Sequence, residues 1–138
     1  MLTITISPRF GDVDGFRHIN NTRLPEWFES GRMPLYRIFQ PQMDLDQLNL
    51  IIARITVDFQ SQMFMQPDVE IRTWIKRVGN SSFTVYQEAW QQGRLGASGE
   101  TVVVHYDFAS GHSLPIPGDI RPLLEQHLLP EEQQNQDD

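Results

Sequence analysis

Residues 9–32 read RFGDVDGFRHINNTRLPEWFESGR, and how this stretch is interpreted decides the fold. It begins as extended chain, passes through a polar turn and ends as an amphipathic helix. Asp12, Asp14, His18, Asn20 and Asn21 all fall between positions 12 and 21. No other segment carries side chains suited to site chemistry at that density. Asn20 or Asn21 suits the helix cap, because its side-chain oxygen can accept from an orphan N–H of the first turn. Beyond the cap, Leu24, Trp27, Phe28, Gly31, Leu35 and Ile38 or Phe39 recur at helical spacing and form one apolar stripe. Gly31 lies on the stripe and predicts a close approach of the helix backbone to whatever it covers. Pro25 falls near the first turn, where a missing N–H costs little. Pro34 predicts a kink or a restarted turn near residues 30–35. Glu29 and Arg32 are spaced i,i+3 and predict an ion pair on the helix surface.

The flanking sequence shows what this helix covers. Leu2, Ile4 and Ile6 alternate with Thr3, Thr5 and Ser7, the signature of a half-buried strand running toward Phe10. Residues 40–49 have loop composition. Strands are then predicted over 50–62, 69–78, 82–90 and 97–108, with Val69, Ile71, Thr73 and Ile75 on one face. The turns at 66–68, 79–81 and 92–94 have hairpin composition. A proline-bounded loop over 111–118 leads to a short closing helix at 120–129. One long helix on an antiparallel sheet of about five strands is an α+β arrangement in two layers. A single helix cannot cover so wide a sheet, so apolar surface is left for a second copy of the chain.

Composition narrows the function. The 138 residues suit one domain over 1–130, followed by an acidic tail at 131–138 that is expected to be frayed. No apolar run is long enough to span a membrane, and the alternating N-terminus does not read as a signal peptide. The net charge of −7 excludes a fold-wide attraction for nucleic acid. Absence of cysteine excludes disulfides, cysteine nucleophiles and thiolate metal sites, and fits a cytoplasmic protein. His18, His105, His112 and His127 lack ligand spacing, so neither metal nor other cofactor is expected.

Asp12-Val13-Asp14, His18-Ile19-Asn20-Asn21 and Trp27-Phe28-Glu29 with Arg32 together resemble the hotdog-fold acyl-CoA thioesterases, in particular the 4-hydroxybenzoyl-CoA thioesterase-like group. The hairpin Arg77-Val78-Gly79-Asn80-Ser81-Ser82-Phe83 and the segment Pro115-Ile116-Pro117 are similar to that group as well, so the likeness spans roughly residues 3–125. The resemblance implies a hotdog fold and an acyl-CoA substrate. It implies Asp14 as the catalytic carboxylate, acting as nucleophile or general base. A backbone N–H at about Asn21 would polarise the thioester carbonyl, as helix N-termini carry unpaired donors and partial positive charge. His18 either orients the site and contacts substrate or is bonded to the turn backbone. Asn20 is a cap or turn former, and Asp12 a turn former. Lys76, Arg77, Asn80, Ser81 and Ser82 form a small polar and basic cluster that either seats the CoA phosphates or is an ordinary solvated turn. Arg17 stands where the group has glycine and Leu24 where it often has tyrosine; Pro25 and Pro34 are additional.

The resemblance also implies a homodimer, or a homotetramer of dimers, with the site at the dimer interface. The sheets are expected to join through the strand at 82–90 or its neighbour at 69–78, bringing residues 58–63 of one chain to Asp14 of the other. Two alternatives stand beside hydrolysis of acyl-CoA: a hotdog domain that binds an acyl thioester without cleaving it, and an acyl carrier-protein thioesterase.

Overall fold

The computed structural model describes residues 1–131; the acidic tail beyond them lies outside the described residues. The elements follow as β1 (Leu2–Ile6), α1 (Arg23–Phe39), β2 (Leu50–Phe59), β3 (Val69–Val78), β4 (Ser82–Gln91), β5 (Arg94–Asp107), β6 (His112–Ser113) and α2 (Arg121–Glu125). All strand pairings are antiparallel, and the sheet order is β1-β3-β4-β5-β2, with β6 added beside the end of β5. Consecutive strands joined by two tight hairpins dictate the β3-β4-β5 meander. The long connection holding α1 lets β1 pair with β3, and β2 closes against β5. The result is the curled hotdog sheet around one long helix.

This order corrects the expected interface strand. β3 and β4 each have a strand on both sides, so neither presents a free edge. The edges are β1 and β2. The five-residue β1 carries exposed threonines and half-buried aliphatics. β2 has ten residues and is exposed along most of its length.

α1 packs chiefly over β1, β3 and β4. Near the turn end its stripe joins one apolar cluster, centred on Leu24, Trp27, Phe28, Val69 and Ile71. Near the other end Leu35 and Tyr36 join a second, with Ile75, Phe83, Val103 and Leu124. Between the clusters lies a buried polar belt. Arg32, only 2% exposed, donates from Nε to the Tyr36 hydroxyl (2.9 Å) and from Nη1 to Gln87 Oε1 (3.2 Å) and Thr101 Oγ1 (3.1 Å). Gln87 Nε2 in turn donates to the Phe28 carbonyl and to Thr73 Oγ1. The expected Glu29–Arg32 ion pair is therefore absent among the described residues. Arg32 turns into the core, where hydroxyl and amide acceptors on the helix and the sheet satisfy it, and Glu29 stays exposed.

Gly31 makes this belt possible. A Cβ there would come within 2.8 Å of both Gln87 Nε2 and Ile71 Cγ2. Pro34 does not restart the helix, which runs unbroken through residues 23–39. The carbonyl that Pro34 deprives of its N–H belongs to Ser30, an exposed residue, so water can serve it. The cap also differs from expectation. Thr22 occupies the cap position, and Asn20 stabilises the turn before it by accepting the Thr22 N–H and hydroxyl at Oδ1, both at 3.0 Å. A side-chain amide accepting from two residues ahead closes an Asx turn.

Candidate active site

The turn between β1 and α1 is built around two aspartates with opposite environments. Asp12, 2% exposed, accepts the Arg9 N–H at Oδ2 (2.8 Å) and the Arg9 guanidinium at Oδ1 (3.4 Å), while Arg23 Nε lies 3.1 Å from Oδ1 as an ion pair. Burial pushes its carboxyl up, but the Arg9 hydrogen bonds and the two guanidinium charges outweigh this and hold it below the ordinary carboxylate range. Its carbonyl accepts the Asn20 N–H at 2.7 Å. Asp12 thus ties the strand exit to the helix entrance.

Asp14 is half-buried and differently placed. Its Oδ1 accepts the Phe16 N–H (2.9 Å) and, at longer range, the His18 N–H (3.4 Å). Its backbone pairs with the carbonyl of His18 and the N–H of Arg17, closing a tight loop. Oδ2 has no partner among the described residues. Arg17 closes that loop at φ +68°, a left-handed conformation that favours glycine. The glycine that the resembling group carries there has a plain steric reason.

Two further groups face open space. Asn21 is exposed, and its N–H meets no acceptor among the described residues. It sits just before α1, where the helix dipole favours developing negative charge. His18 and Asn21 line a cavity of about 290 Å³ with Ile19, Leu24 and the segment that follows β2, residues 59–63. That segment is anchored within the chain: the Ile19 N–H donates to the Met63 carbonyl (2.7 Å), and the His18 ring meets Phe64 edge-on at 5.4 Å. The sequence expectation assigned residues 58–63 to a partner's site. Residues 59–63 of that stretch line this chain's own cavity beside His18 and Asn21. Asp14 does not itself line this cavity.

The structure separates the two groups of expected site residues. Asp14, His18, Asn20 and Asn21 come together at the end of the sheet where Ile6 pairs with Val69. Lys76, Arg77, Asn80, Ser81 and Ser82 lie at the opposite end, a β3 length away, about 30 Å at ~3.3 Å per residue. Lys76 is paired there with Glu100. The carbonyls of Asn80, Ser81 and Ser82 accept from Ile116, His105 and Gly79. Among the described residues no three His, Asp or Glu side chains cluster as a metal site, and no helix is long and apolar enough to cross a membrane.

Residues 8–124 match the model of the thioesterase-like superfamily. The chain belongs to that superfamily. A search of curated proteins finds no match. Among solved structures, a predicted thioesterase from Bacillus stearothermophilus is similar at 41% identity and a TM-score of 0.90, over 93% of this chain and 96% of that one. A Thermus thermophilus thioesterase complexed with coenzyme A and Zn superposes with a TM-score of 0.81 at 23% identity, over 91% of this chain and 92% of its own. A gentisyl-coenzyme A thioesterase does so with a TM-score of 0.74 at 24% identity, over 88% and 98%. At such identities the latter two speak for the fold alone. As a member of the thioesterase-like superfamily the chain is a thioester hydrolase.

Proposed function

We propose that the protein hydrolyses acyl-CoA thioesters to free acid and CoA, with Asp14 as its catalytic carboxylate. The observation that carries this reading is the pairing of two unmatched groups on one turn: Asp14 Oδ2 and the Asn21 N–H. The thioester carbonyl accepts from the Asn21 N–H, which stabilises the oxyanion that forms as the carbonyl carbon is attacked. One such donor is worth a few kcal/mol. Asp14 either attacks that carbon, giving a mixed anhydride that water opens, or takes the proton of an attacking water. CoA leaves as thiolate and is protonated. His18, held by the turn and against Phe64, forms the wall beside the thioester.

The working unit in this reading is a two-fold dimer joined across β2. The side chains of β2 that point toward the helix side form a row, Ile52, Ile55 and Phe59, left 39%, 47% and 54% exposed. A long apolar edge strand of this kind needs cover, and antiparallel pairing with its own copy supplies it over well above ~1,000 Å². The same pairing brings the hairpin of the partner subunit to the end of the sheet that holds Asp14. There Arg77, with Asn80, Ser81 and Ser82, receives the CoA phosphates. We place the enzyme in the cytoplasm, in keeping with a chain that has no cysteine.

Hydrolysis of a panel of aromatic, short-chain and long-chain acyl-CoAs tests the reading. Wild type is expected to turn over at least one class, and Asp14→Asn to lose on the order of 10²–10⁴-fold in kcat. Equal turnover by the two would remove Asp14 from the mechanism.

A further inference from the structure

At the opposite end of β2 from the site, α1, the 40–49 segment and the start of β2 enclose a second cavity of about 270 Å³. Its wall is aliphatic and flexible: Met33, Met43, Leu45, Leu48 and Ile52. Tyr36 presents its ring, since its hydroxyl is engaged by buried Arg32 at 2.9 Å. The one charged group on the wall is Glu29, exposed and without a partner among the described residues. The volume lies just below the ~300 Å³ at which drug-sized ligand pockets begin, so the cavity takes a chain or a ring but not a nucleotide.

Within one chain this cavity is out of reach of the thioester. Ile52 and Phe59 are seven residues apart on β2, which is about 23 Å along the strand. Two-fold antiparallel pairing across β2 reverses the relation. The Phe59 end of one copy, with its His18–Asn21 cavity, then lies beside the Ile52 end of the other. Resting on the dimeric acyl-CoA thioesterase reading above, we infer that this second cavity is the acyl-tail pocket of the partner's site, selecting unbranched aliphatic acyl groups of medium length. Methionine and leucine side chains adapt to a flexible chain and offer no hydrogen bond to a ring hydroxyl. Glu29 at the wall disfavours acyl groups that end in a carboxylate, because two like charges would meet there.

A straight-chain acyl-CoA series, a terminal-carboxylate acyl-CoA and mixed dimers test the inference. In wild type kcat/KM rises up to about fourfold for each added methylene until the pocket is full. Leu48→Trp, or Met33→Trp should the first not fold, lowers the ratio of medium-chain to acetyl-CoA activity by about tenfold or more. Glu29→Gln raises activity on the terminal carboxylate relative to the uncharged ester of equal length. Co-expressed Asp14→Asn and Leu48→Trp chains recover about a quarter of wild-type medium-chain activity, since half of the dimers are mixed and each then holds one intact site. Mixed dimers no better than their parents, or an unchanged chain-length ratio in both tryptophan variants, overturn the pocket while leaving the thioesterase reading standing. A wild type inactive on every acyl-CoA overturns that reading and the pocket with it.

Discussion

At the turn end of the sheet, Asp14 Oδ2 and the Asn21 N–H have no partner among the described residues, although their neighbours are tightly bonded. At the hairpin end, Lys76 is paired with Glu100, Arg121 Nη2 donates to the Gly79 carbonyl at 2.7 Å, and the hairpin carbonyls take N–H donors from the 105–116 region. Both ends are polar and both have turn composition. The difference is that one end leaves two complementary groups unmatched while fixing the backbone that carries them. Polar residues in a loop say little about a site; polar residues held rigid with a free valence say much more.

The comparison breaks or sharpens under substitution. Asp14→Asn has the largest expected effect, the loss of turnover described above, with thermal stability nearly unchanged. Asp12→Asn, on the same turn, is expected to retain far more turnover; equal losses from the two would mean that the turn as a whole, and not the free oxygen, carries the activity. Next comes Gly31→Ala, which acts on the belt between the two ends. The added Cβ meets Ile71 and the hydrogen-bonded amide of Gln87 at 2.8 Å. Overpacking of this kind costs about 1–3 kcal/mol, against ~1 kcal/mol gained by alanine in a helix. A lower urea midpoint is expected, and an unchanged midpoint would mean the helix can lift off the sheet freely.

The pH dependence follows from Asp12. Its folded carboxyl titrates below the unfolded value of about 4, so its contribution is present above pH ~4 and is lost as pH falls through the lower folded value. Urea unfolding of wild type between pH 5 and 2, about that value, should show this slope, and Asp12→Asn should make it shallower, with Asp107, also lowered, supplying the remainder. The smallest expected effect is at the hairpin end. Arg77→Ala should raise KM for acyl-CoA about fivefold or less, the size of one exposed charge contact. It should leave acyl-pantetheine, which has no nucleotide, unaffected. Equal effects on both substrates would take the CoA phosphates away from that hairpin.

Much of the fold was legible in the sequence, for reasons that also mark the limit. Alternation placed β3 at residues 69–78 and the start of β4 at 82, because a half-buried strand writes its faces into neighbouring positions. The helix stripe was legible in the same way, and so was the polar turn before it. What failed depended on distance. Glu29 and Arg32 look like a surface pair because their spacing is local, whereas two of the three acceptors of Arg32 are on β4 and β5. Strand order was equally hidden: nothing between residues 69 and 91 tells a central strand from an edge. The two-residue β6 is too short for any periodicity, and composition does not say at which end of a sheet the hairpin cluster will lie.

The Arg32 belt bears on how the chain comes to be folded as it is made. The acceptors Gln87 and Thr101 lie 55 and 69 residues after Arg32. A guanidinium is costly to bury before its acceptors are in place. While the chain is emerging from the ribosome, α1 is complete long before β4 and β5 exist. Its apolar stripe cannot settle early over β1 and whatever strand appears first, because the charge on that stripe would be stranded. The full set of bonds to the guanidinium closes only when both strands are in place, because Gln87 and Thr101 lie on them.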